Sequence, residues 1–181
     1  MLTALSAIER FLMRWTMRAA MTLLVLAACV SLWQVVTRFI FSEPSTWSEV
    51  TARSLDIWMV YLGVAVAFRQ GALMAVEFVH QRLHGTARIL LVAAISGLSL
   101  GVLAVIAWAG WEMAGRVKFQ MLAGVENPFT GDGISIAMVY AAIPVGAVLS
   151  MVGVVARAAE EIAAVRRTGT APAAPQEVYE V

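Results

Sequence analysis

Apolar residues run in four long blocks along the chain, about 19–41, 51–68, 89–111 and 134–156, and most of the charge lies between or beyond them. An α-helix rises about 1.5 Å per residue, so roughly 20 apolar residues cross a hydrocarbon layer of about 30 Å. Each block meets that length. None alternates with the period of two that a membrane β-barrel strand requires, and backbone groups in lipid are satisfied only by helices or closed barrels. The pattern therefore predicts an all-α integral membrane protein with four transmembrane helices.

The flanks carry a different rhythm. Leu2, Leu5, Ile8, Leu12 and Trp15 recur every three or four residues, with Glu9, Arg10, Arg14 and Arg18 largely opposite. That spacing predicts an amphipathic helix over 1–18 lying in the membrane interface, ahead of a transmembrane domain at 19–157. Between the second and third blocks, Met74, Phe78 and Leu83 alternate with Glu77, His80, Gln81 and Arg82, which predicts a second interfacial helix bounded by Gly71 and Gly85. The segment 118–133 contains Gly124, Asn127, Pro128, Gly131 and Asp132 and reads as irregular turns. Residues 158–181 are expected to form a cytoplasmic tail, disordered from about 168, where the chain becomes rich in alanine and proline.

Composition agrees with a membrane solvent. Of 181 residues, 61% are hydrophobic and 14% charged, whereas a soluble domain has about a quarter of its residues charged. The net charge of +1 excludes a nucleic-acid footprint. One cysteine, Cys29, excludes an internal disulfide or a cysteine metal cluster. Leu26-Ala27-Ala28-Cys29 matches a lipoprotein cleavage box, but the apolar run continues through Val30, Leu32 and Trp33, so an uncleaved helix is expected. Nine basic residues (Arg10, Arg14, Arg18, Arg69, Arg82, Arg88, Arg157, Arg166 and Arg167) fall on one side of a four-span topology. Four (Arg38, Arg53, Arg116 and Lys118) fall on the other. Positive charge stays inside, which places both termini in the cytoplasm.

Few residues offer chemistry. Glu49, Arg53 and Asp56 follow one another by four and three residues at the start of the second span, on one helical face, after a candidate cap at Ser45 or Thr46. Three readings are open: a polar seam docking on a partner, an ion pathway, or an interfacial pair reaching for headgroups. His80 and His84 have a metal-ligand spacing but no completing carboxylate, and no span contains the histidine that a membrane haem needs. No metal, cofactor or catalytic residue is expected. Ala93, Gly97 and Gly101 in the third span, and Ala142, Gly146 and Ser150 in the fourth, are small residues four apart that let helices approach closely. Pro144 is expected to kink the fourth span. Trp47, Trp108 and Trp111 fit an outer aromatic belt.

Over about residues 20–157 the chain resembles the small membrane subunit of the tripartite ATP-independent periplasmic (TRAP) transporters. The resemblance rests on Arg38-Phe39-Ile40-Phe41, Pro44, Trp47-Ser48-Glu49 and Arg53, continuing through Tyr61-Leu62-Gly63 to Arg69, Gly71, Val76 and Glu77. A second piece runs from Gly133-Ile134-Ser135 through Tyr140 to Ile143-Pro144-Val145-Gly146. The chain departs from that pattern at Val50, where a second acid is common, and at Leu73, Met74 and Glu77, where a histidine motif and an aspartate are usual. No role tied to that histidine carries over.

The resemblance implies a non-enzymatic scaffold in the bacterial inner membrane, beside a large multi-span permease subunit. It further implies uptake of an organic acid with a sodium gradient, delivered by a periplasmic solute-binding protein. Trp47, Glu49, Arg53, Asp56, Gly97, Gly101 and Gly146 are the candidate subunit-interface residues. The competing readings are an autonomous homo-oligomeric transporter using Asp56, and a membrane anchor of another complex.

Overall fold

A computed structural model describes residues 2–42, 45–70, 86–126 and 133–168. Its helices are α1 (Leu2–Phe39), α2 (Thr46–Gln70), α3 (Thr86–Arg116), a single turn α4 (Ala137–Tyr140) and α5 (Ala142–Thr168). Strands β1 (Met121–Glu126) and β2 (Gly133–Ser135) lie between α3 and α4. Four helical segments are long and apolar enough to cross a membrane: Glu9–Phe39, Thr46–Gln70, Ala87–Arg116 and Ala137–Val165. The expected second interfacial helix, with Glu77, His80 and His84, lies outside the described residues, as does the chain beyond 168.

Two features differ from the sequence reading. First, α1 runs unbroken for 38 residues, about 57 Å, through the expected boundary at residue 18. Its buried positions Glu9, Met13, Thr16, Ala20 and Ala27 form one stripe toward α2, while Arg10, Arg14 and Arg18 stay exposed or half-exposed on other faces. Arginines confined to an outer face interrupt the apolar run in sequence without interrupting the helix.

Second, the segment expected to be irregular carries an antiparallel hairpin, with Met121 opposite Ser135 and an irregularity before Glu126 pairs with Gly133. The Ser135 hydroxyl fastens its base by donating to the Lys118 carbonyl at 2.7 Å. The fourth span is divided at Ala141, next to Pro144, where an interruption is expected. Pro144 has no N–H to give the Tyr140 carbonyl, so the helical ladder lapses one turn before it. The bonds on either side persist, Ala141 N–H to Ala137 at 2.9 Å and Val145 N–H to Ala141 at 3.2 Å.

The long helices pack in the order α1, α2, α5, α3. α2 and α5 are central, and the α2–α5 and α3–α5 seams are lined by small residues or interlocked aliphatics. Leu103 of α3 meets Ala147 and Val154 of α5, with Phe68, Leu100 and Met151 packed around them. α2 and α3 share no extended interface and lean separately on α5. Between them an apolar cleft of about 300 Å³ opens, walled by Tyr61, Val64 and Phe68 on one side and by Leu98 and Val102 on the other, with Ala147 at its floor.

Candidate functional site

The N-terminal half of α2 is its polar half. Ser45 precedes the helix, and its hydroxyl hydrogen-bonds with that of fully buried Ser48, whose hydroxyl also lies 2.8 Å from the Ser45 carbonyl. Thr37 of α1 reaches the same serine at 3.4 Å, fixing the turn between the two helices. Ser42 within that turn adopts a left-handed backbone, φ 55°. From this start, Glu49, Arg53, Asp56, Val60 and Val64 are all exposed, at successive spacings of four, three, four and four. They form one stripe down α2 on the side away from α1 and α5. Arg53 donates to Glu49 at 2.9 Å, while Asp56 makes no hydrogen bond or ion pair among the described residues. Trp47 stands exposed on the first turn of the helix.

The candidate glycines separate. Gly146 is buried against α2: a Cβ there would lie 2.7 Å from Tyr61 Cβ and 2.9 Å from its carbonyl oxygen. One heptad on, a Cβ at Gly153 would stand 3.2 Å from the Ala65 carbonyl. Ser150, between them, is buried and spends its hydroxyl on the Gly146 carbonyl at 2.8 Å. This stripe is therefore used inside the chain. Gly97 and Gly101 face nothing within 4 Å, and both are exposed on α3. The structure thus groups Glu49, Arg53 and Asp56 on one surface, leaves Trp47 exposed about 200° round the same helix from Glu49, leaves Gly97 and Gly101 on α3, and places Gly146 in the interior.

At the opposite end of α2, Arg69 joins three helices. Its Nε donates to Glu9 of α1 at 2.5 Å, and its Nη2 and Nη1 donate to Glu160 of α5 at 2.6 and 2.9 Å. Arg69 and Glu9 keep only 14% and 8% of their side-chain surface exposed, against 48% for Glu160. Two bidentate carboxylate contacts satisfy a planar guanidinium better than any single partner would.

Residues 27–164 match the family model described as tripartite ATP-independent periplasmic transporters, DctQ component. The chain belongs to this family. It is also 31% identical over 116 residues to the sialic acid TRAP transporter small permease protein SiaQ of Vibrio cholerae serotype O1. That alignment covers 64% of this chain and 63% of the relative. The DctQ family is one of transporter components and not of enzymes, and this chain is a small TRAP membrane subunit.

The DctQ match begins part-way along α1 and includes the whole α2 stripe, Arg69 and Glu160, but not Glu9. The Arg69 network is what the sequence reading missed. Its partners lie 60 and 91 residues away, so no helical spacing signals the pairing. The available hint was a charge near one end of each of these helices, Glu9 in α1, Arg69 in α2 and Glu160 in α5.

Proposed function

We propose that the chain is the fixed scaffold beside a large multi-span TRAP permease subunit, which moves an organic acid with a sodium gradient after delivery by a periplasmic binding protein. The observation that carries this reading is the exposed charged stripe of α2. A helix facing only lipid leaves ionic side chains uncompensated at high cost, whereas a partner helix satisfies them. The family membership supports a partner of that kind, and the SiaQ likeness supports a carboxylate as the solute. The distribution of arginines supports a multi-pass inner-membrane protein with both termini cytoplasmic; a reporter fused to residue 181 that works only in the cytoplasm is expected to be active.

The autonomous-transporter alternative would route ions past Asp56. That carboxylate sits on the outer surface of the helix row and not between helices, which favours the scaffold. The decisive experiment is mild-detergent affinity purification of the tagged chain with mass spectrometry of what co-purifies. A large permease in near-equal amount is expected. A clean homo-oligomer that transports alone, and loses transport with Asp56→Asn, would overturn the reading.

A further inference from the structure

We infer that the α2 stripe and the neighbouring cleft seat one transmembrane helix of the large permease subunit, which brings an arginine or lysine level with Asp56 and bulky apolar side chains against Val60 and Val64. The inference rests on the scaffold reading and adds the surface, the depth and the charge of the contact.

Depth comes first. Arg69 is anchored at the inner end by Glu9 and Glu160. Asp56 is thirteen residues away, about 20 Å along the helix, which falls short of a hydrocarbon layer of about 30 Å. The stretch between them, residues 57–68, contains no charge. With Arg69 at the inner boundary, Asp56 lies within the apolar layer, exposed and without a partner among the described residues.

Charge comes second. Arg53 is already engaged by Glu49 at 2.9 Å, so the three side chains sum to a single negative charge that belongs to Asp56. One cation completes the stripe. A second copy of this chain presenting the same face would set Asp56 toward Asp56, which is repulsive. A lipid chain would fill the cleft but leave the carboxylate unmatched.

Shape comes third. The cleft opens beside Val64, on the same side of the helix row as the stripe, and its other wall is exposed Leu98 and Val102. A helix laid along the stripe would thus meet a charge at its outer part and an apolar groove below it.

The test uses the complex of the full chain with its large subunit, carrying a benzophenone side chain at Val60 or Val64, or at Val25 or Leu32 on the exposed face of α1 turned from α2. Photo-adducts with the large subunit are expected from Val60 and Val64 and not from Val25 and Leu32. Asp56→Arg is expected to lower recovery of the large subunit by about tenfold or more, and Asp56→Asn by less, with the chain itself inserted at wild-type level. Adducts from Val25 and Leu32 alone would overturn the inference and leave the scaffold reading standing. So would adducts from Val60 and Val64 only to lipid or to a second copy, or an Asp56→Arg complex recovered in full. Absence of any large subunit with the unaltered chain would overturn the scaffold reading itself.

Discussion

The two ends of α2 handle charge in opposite ways. At the C-terminal end Arg69 is nearly enclosed and is neutralised by carboxylates from α1 and α5. At the N-terminal end Glu49 and Arg53 pair with each other at 73% and 57% exposure for the arginine and glutamate side chains, and Asp56 pairs with nothing among the described residues. The Arg69 end is satisfied within the chain. The N-terminal end has the polarity of an interface and no occupant on its charged stripe among the described residues. One helix therefore treats charge in two ways: it ties three helices together at one end and leaves a charged face exposed at the other.

The sharpest way to break this contrast is to remove the inner tie. Arg69→Gln leaves Glu9 buried without its cation, and losing one partner of a buried pair costs about 3–5 kcal/mol. Thermal unfolding of the purified subunit in detergent should show the largest loss for this change. An equally large loss from Arg53→Ala would erase the distinction between the two ends.

Next in size is the packing of α2 on α5. Gly146→Ala puts a methyl group within 2.7 Å of Tyr61 Cβ and beside its carbonyl, so the helices must separate, at about 1–3 kcal/mol. Gly101→Ala meets open space and should stay within about 0.5 kcal/mol. The same unfolding experiment on the pair distinguishes a stripe used internally from one left on the surface; equal effects would show that close approach at Gly146 does not matter. The smallest effect belongs to the outer pair. Arg53→Ala in the free subunit removes an exposed pair four residues apart, worth about 0.3–0.5 kcal/mol, and its melting curve should nearly overlay that of the unaltered chain.

Much of this architecture is written in the chain, and the parts that are not have identifiable reasons. Four apolar blocks announce four helices because lipid offers the backbone no other option except a barrel. The stripe of Glu49, Arg53 and Asp56 is legible because its spacing is local. The unbroken α1 is not, since Arg10, Arg14 and Arg18 end an apolar run in one dimension while occupying only part of a cylinder in three. The hairpin at Met121–Glu126 and Gly133–Ser135 is hidden by glycine, asparagine and proline, which mark a turn without saying what flanks it. Gly146 and Gly101 look alike in sequence; only the packing order α1, α2, α5, α3 decides that one is inside and the other is not. The Arg69 network joins residues on three helices, and nothing local encodes which carboxylates it will meet.

On the proposed reading, the N-terminal half of α2 is completed by another chain. Charge reversal at Asp56 tests it most directly: Asp56→Arg is co-expressed with the large permease subunit, and recovery of that subunit is measured per folded, inserted small subunit. The account predicts a loss of about tenfold or more, with the melting of the free small subunit almost unchanged. Full recovery of the large subunit, with transport intact, would contradict it.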